Sequence, residues 1–235
     1  MIQEMENRLS KRRGLVHLII GVLVFGSIWG LFEATLGGFL NLIIFPNKGA
    51  IMSGIGAAIM ASALAIYRKP AMLPGIGIVA ASFKWLNSWL LFVPPLAVQI
   101  INPAMAIFLE SLAFGLVAAF LMNWIAKNIL VGTVAGVLVG LMSATAYVYF
   151  AVYATHSPIF ARLGIKSIGE FIMGNGVVQA AFFGIFLPLG YQLGEKLAAK
   201  TSPMLERKAL YYATSVATIA FCWGISALAL MSGLK

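Results

Sequence analysis

The stretch GSIWGLFEATLGGFL, residues 26–40, is apolar apart from two hydroxyl residues and a single carboxylate, Glu33. It closes an apolar run over residues 15–40, and a helix needs about 20 such residues to cross the hydrocarbon core of a bilayer. Reading this run as a membrane span decides the fold and leaves Glu33 to be accounted for. A lone charge at the centre of a span costs about 2.5–3.5 kcal/mol on insertion scales. A carboxylate at this position therefore calls for partners at its own depth.

Working outward, six more apolar runs cover residues 49–67, 71–92, 103–125, 129–152, 171–193 and 209–231. The breaks between them have chemical causes. FPNKG (45–49), YRKP (67–70), VPP (93–95) and NP (102–103) supply proline, glycine and charge. THSPIFARLGIKSIGE (155–170) is the longest polar stretch between runs, and EKLAAKTSPMLERKA (195–209) is the most charged. Of the 235 residues, 61% are hydrophobic and 10% charged, more apolar surface than a soluble domain of this length can bury. The runs are continuous rather than alternating, which argues against a β-barrel. The expected fold is an all-α integral membrane bundle of about seven helices. A basic segment (1–14) precedes a six-helix core (15–193), followed by a linker (194–208) and an additional helix (209–235).

The net charge of +9, with no aspartate, would suggest nucleic acid in a soluble chain. Here most of the cations lie between apolar runs, as expected for a chain held at an anionic membrane face. One set of connections carries eleven of them, Arg8, Lys11, Arg12, Arg13, Arg68, Lys69, Lys127, Lys196, Lys200, Arg207 and Lys208. The other carries four, Lys48, Arg162, Lys166 and Lys235. The positive-inside rule then places the N-terminus in the cytoplasm and the chain in the cell's inner or plasma membrane. Cys222, the only cysteine, lies in an apolar run and has no partner for an internal disulfide.

The remaining charges fall in one layer. Glu33 lies about seven residues, or roughly 10 Å, from the outer end of the first run at 1.5 Å per residue. Lys84 lies at a similar depth in the third run, with Asn87 a turn beyond. Glu110 in the fourth and Asn175 and Gln179 in the sixth sit at comparable distances from their outer ends. Lys84 balances one carboxylate, leaving the layer with about one uncompensated negative charge, or one carboxyl holds a proton. Two readings stay open: a structural ion pair, or a site for a small cationic or donor-rich molecule entering from outside. The extra donors and acceptors of Asn87, Asn175 and Gln179 favour the site, with Trp29 and Trp85 as flat walls beside it.

Chemistry beyond binding has little support. No GxxxxGK[ST], HExxH or GxSxG occurs, and GIKS (164–167) lacks the glycines of a phosphate loop. His17 and His156 fall on opposite sides of the membrane. The expectation is no enzyme, no catalytic residue, no metal and no cofactor. Small residues recur at four-residue spacing in the first run (Gly26, Gly30, Ala34, Gly38), the fifth (Gly132, Gly136, Gly140, Ala144) and the sixth (Gly176, Ala180, Gly184). Such stripes pack helices closely, within the bundle or against another membrane subunit.

This pattern over residues 15–193 resembles the substrate-binding S components of energy-coupling factor transporters. The residues that carry the likeness are Gly26, Gly30 and Ala34 in GSIWGLFEA, the loops after the first, third and fifth runs, and the absence of an ATPase motif. The resemblance implies a solute-binding subunit of an uptake transporter, with the ligand near the outer surface. It implies docking of a coupling subunit through Gly26, Gly30 and Ala34, and ATPases on separate chains. The seventh run departs from the family pattern. It suits a second reading, a non-catalytic scaffold subunit of a larger redox or energy-converting complex. FLPLG (186–190) is the candidate break that a self-powered transporter would need.

Overall fold

The computed structural model describes the backbone of residues 2–234 and the side chains of residues 14–234, apart from those of 87, 91, 162, 201–206 and 208. Among the described residues the chain is helical and has no strand. An apolar run in lipid must satisfy its backbone groups internally, and helices do so within one segment. The order is α1 (Ile2–Leu42), α2 (Lys48–Tyr67), α3 (Leu73–Ser82), α4 (Leu86–Leu91), α5 (Val98–Ile125), α6 (Ile129–Tyr149), α7 (Ile159–Leu163), α8 (Ile168–Phe171), α9 (Val177–Glu206) and α10 (Lys208–Met231). Six helical stretches are long and apolar enough to cross a membrane: Gly14–Leu42, Lys48–Tyr67, Val98–Ile125, Ile129–Ala154, Ile168–Lys200 and Ala209–Met231. The third apolar run is helical in pieces, with 3₁₀ turns at Pro70–Met72 and Phe83–Trp85 flanking α3.

The terminators act largely as the residue types dictate. Arg68 ends α2 in the left-handed region at φ 53°, and its N–H returns to the Leu64 carbonyl before Pro70. Asn128 caps α6, its side chain accepting from the Leu130 N–H at 2.8 Å. Three boundaries differ from the sequence expectation. α5 starts at Val98 and runs through Asn102–Pro103. Pro103 is close enough to the helix start that only the Gln99 carbonyl loses its donor. α9 continues through Pro188 and through much of the expected linker, where EKLAAK is made of good helix formers. The basic segment is not separate either, since α1 begins at Ile2.

Two ends define the bundle. At one, Arg68 pairs with Glu195 at 3.2 Å, joining the end of α2 to the later part of α9. At the other, the last turns of α1, α6 and α10 meet the first turns of α2, α5 and α9 around a cavity. Phe83 and Lys84 also line that cavity. The pieces from Pro70 to Leu91 therefore lead from the Arg68 end to the cavity end. Between the ends α1 packs on α2, α3 and α10, α9 on α2 and α6, and α5 on α3 and α6. Trp29, Met60, Leu64, Ile76, Phe114 and Phe183 are fully buried in this interior. Phe120, Leu189, Val216 and Phe221 stand exposed on the outer helix faces, apolar surface that suits lipid.

Glycines set the closest approaches. A Cβ at Gly190 or Gly194 of α9 would lie 2.3 or 2.4 Å from backbone oxygens of α2. Ser62 of α2 uses the same proximity to donate to the Gly190 carbonyl at 2.7 Å. A Cβ at Gly136 of α6 would lie 2.4 Å from the Phe183 carbonyl oxygen of α9. The small-residue stripes of the fifth and sixth runs thus face each other inside the bundle.

Candidate functional site

The cavity has a volume of about 630 Å³ and draws its lining from all the long helices. Glu33 and Lys84 stand on one side. Glu33 projects from α1 near its last turns. Lys84 sits on the 3₁₀ turn Phe83–Trp85, directly after Phe83. The Phe83 ring fills the notch left by Gly30, where a Cβ would lie 2.3 Å from the ring. This seating sets Lys84 against α1, and its Nζ donates to Glu33 Oε2 at 2.7 Å. The two side chains are only 16% and 11% exposed, so the pair is largely withdrawn from solvent.

Glu110, on α5, also lines the cavity and is 5% exposed. Its Oε1 accepts from Ser53 Oγ of α2 at 2.5 Å and from Gln179 Nε2 of α9 at 3.1 Å. Gln179 Nε2 also donates to Ser143 Oγ of α6 at 3.2 Å. One carboxylate thereby joins four helices through neutral donors. Among the described residues no cation lies within ion-pair distance of it. Hydrogen bonds from neutral donors offset part of the cost of burying such a group.

The mouth is built from helix ends and loops. Lys48, the first residue of α2, lines the cavity and donates to Asn41 Oδ1 near the end of α1. Asn102 Oδ1 accepts from Thr155 Oγ1 at 2.9 Å, tying α5 to the loop after α6. In that loop Ser157, Ile159 and Leu163 reach the cavity. Asn175 lies in a π-helical turn, Ile172–Gly176, that leads into α9. Such turns carry an extra residue per turn and re-aim side chains. Phe83, Tyr147 and Phe171 supply aromatic surface.

Five of the polar residues expected to share a layer, Glu33, Lys84, Glu110, Asn175 and Gln179, line this one cavity. Asn87 lies outside the described side chains. The two tryptophans stand elsewhere. Trp29 is fully buried in the core, with no partner for its Nε1. Trp85 donates to the Pro95 carbonyl at 3.1 Å in the neighbouring loop. His156 is exposed and is not part of the lining. The stripe on α1 is occupied within the chain. Gly26 packs under Val79, Gly30 under Phe83, and Ala34 lines the cavity.

Ser53, Ser143, Asn102 and Lys48 belong to the site and are not singled out by sequence reasoning. Lys48 changes the charge count. With Glu33, Glu110, Lys84 and Lys48 all on the lining, its formal charges balance rather than leaving one net negative charge. Among the described residues no group of three His, Cys, Asp or Glu comes together. The arrangement is suited to holding a molecule by hydrogen bonds and charge.

The six long apolar helices mark a multi-pass membrane protein. No protein-family model, curated protein or solved structure matches the chain.

Proposed function

We propose that the chain is a membrane-embedded solute-binding subunit of a multi-subunit uptake transporter. The observation that carries this reading is the cavity at one end of the bundle, where a buried, hydrogen-bonded carboxylate and a separate ion pair face one space of about 630 Å³. Pockets of this size, mostly apolar with a few converging polar groups, are the usual form of small-molecule sites. A structural ion pair alone would not need Glu110 set apart from Lys84, nor the Ser53, Ser143 and Gln179 network around it.

In this proposal the segment 70–91 counts as a seventh crossing. The cavity end faces outward and the Arg68–Glu195 end faces the cytoplasm, in line with the distribution of lysine and arginine. The solute enters between the loops after α1, α4 and α6, sheds water, and exchanges its hydrogen bonds for those of the lining. Release inward falls to partners, a coupling subunit and separate ATPases, as the likeness to S components implies. With Gly26 and Gly30 filled by Val79 and Phe83, such a partner would meet a different surface of α1 or other helices.

The test is mild-detergent extraction from native membranes followed by native mass spectrometry of the chain and everything bound to it. The proposal expects a small non-lipid molecule at one per chain and partners that include ATP-hydrolysing subunits. Lipid alone, together with subunits carrying redox centres, would replace this reading with the scaffold one.

A further inference from the structure

The charges of the cavity are arranged in two kinds. Glu33 and Lys84 neutralise each other at 2.7 Å. The other two, Lys48 and Glu110, remain apart. Lys48 opens α2, and Ser53, whose hydroxyl donates to Glu110, comes five residues later on the same helix. At 1.5 Å per residue that spacing puts roughly 7–8 Å of helix axis between Lys48 and the residue that holds Glu110. Lys48 is exposed at the mouth, and Glu110 is buried at the floor. An ammonium carries three donors, and Asn41 takes one from Lys48. Glu110 Oε1 takes both neutral donors described for that carboxylate. Phe83, Tyr147 and Phe171 are also part of this lining.

On the reading that this cavity holds a solute, we propose that the solute is a zwitterion with well-separated charges. A cationic group sits on Glu110 at the floor, an anionic group faces Lys48 at the mouth, and an apolar or aromatic middle joins them. A simple cation satisfies Glu110 and brings unbalanced charge beneath Lys48. A simple anion satisfies Lys48 and faces Glu110 unpaired. An α-amino acid head, with both charges on one carbon, cannot span the two levels. In a site walled by apolar side chains these mismatches weigh more than they do in water.

The full-length chain in detergent or lipid nanodiscs, titrated calorimetrically, tests this with four probes sharing one ring. They are the zwitterion para-(aminoethyl)benzoate, its cationic methyl ester, the anion para-ethylbenzoate, and phenylalanine, an isomer of the zwitterion with adjacent charges. The zwitterion is expected to bind about tenfold more tightly than each of the others, the difference one charge-assisted hydrogen bond makes over a neutral contact. Lys48→Gln, at an exposed position, should erase its advantage over the ester and keep that over para-ethylbenzoate. Glu110→Gln, which keeps an acceptor for Ser53 and Gln179, should do the reverse. If the ester, the anion or phenylalanine binds wild type as tightly as the zwitterion, or Lys48→Gln leaves the ranking unchanged, the charge assignment is overturned while the cavity remains a solute site. If none of the four binds the folded chain at millimolar concentration, the zwitterion assignment falls, and the co-purified molecule in native mass spectrometry decides separately whether the cavity holds a solute.

Discussion

Glu33, Lys84 and Glu110 share a layer but not a role. Lys84 and Glu33 form a close pair, 16% and 11% exposed. Removing one member of a buried pair leaves an uncompensated charge and commonly costs about 3–5 kcal/mol. Lys84→Met should therefore lower the unfolding free energy of the purified chain by about that amount. The double variant Glu33→Gln with Lys84→Met should recover most of the loss. An unchanged unfolding midpoint in Lys84→Met would show that the pair bears no structural weight. Glu110 behaves differently, because its partners are neutral donors. Glu110→Gln keeps the oxygen that Ser53 and Gln179 address, so its stability should stay within about 1 kcal/mol of wild type. A loss as large as that of Lys84→Met would mean that Glu110 is chiefly a structural residue. The depth argument from sequence finds these three residues because distance from a span end is readable. The direction of a side chain is not. Trp29 has the right depth and turns into the core. Ser53 and Ser143 join the network, Ser143 while also donating to the Gly140 carbonyl, whereas Ser82 and Ser111 bond only their own backbone at 2.6 and 2.7 Å among the described residues. In sequence the four serines look alike. Lys48 reads as a loop cation, and only the seating of α2 turns it toward the cavity.

At the scale of elements, the fold rests on helices brought close by small residues. The Gly190 Cβ position lies 2.3 Å from the Ala58 carbonyl oxygen, which is backbone and cannot step aside. Gly190→Leu should force α2 and α9 apart and cost about 1–3 kcal/mol or more. A Cβ at Gly224 of α10 meets nothing within 4 Å, so Gly224→Leu should stay within about 0.5 kcal/mol of wild type. Thermal unfolding of both variants in one detergent checks the contrast, and equal midpoints would contradict the close packing of α2 on α9. Helices were the most legible part of the chain, since long apolar runs and their proline, glycine and charged breaks have direct physical causes. Continuity was less legible. Pro103 and Pro188 look like breaks, yet α5 and α9 pass through them, and the third apolar run is interrupted where no proline stands, at Phe83–Trp85. The Phe83 ring in that turn packs on Gly30, a tertiary contact that a linear pattern does not show. The stripe on α1 likewise does not say whether its neighbour belongs to the same chain.

For the molecule as a whole, orientation and occupancy decide the account. In the proposed orientation the loop bearing Lys166 lies outside and the turn bearing Lys127 inside, and both residues are exposed. In a Cys222→Ala background, a membrane-impermeant thiol reagent applied to intact cells should label Lys166→Cys and spare Lys127→Cys. Labelling of Lys127→Cys alone would invert the protein and turn the cavity toward the cytoplasm. The central claim is that the cavity between the Glu33–Lys84 pair and Glu110 holds a solute. The most direct measurement is native mass spectrometry of the full chain extracted from native membranes, comparing wild type with Ser143→Phe, which fills the space beside Gln179 and Glu110. The account predicts a small-molecule adduct on wild type that is absent from folded Ser143→Phe. An adduct of equal abundance on both would place the ligand elsewhere and contradict the claim, as would a wild-type chain that carries lipid alone.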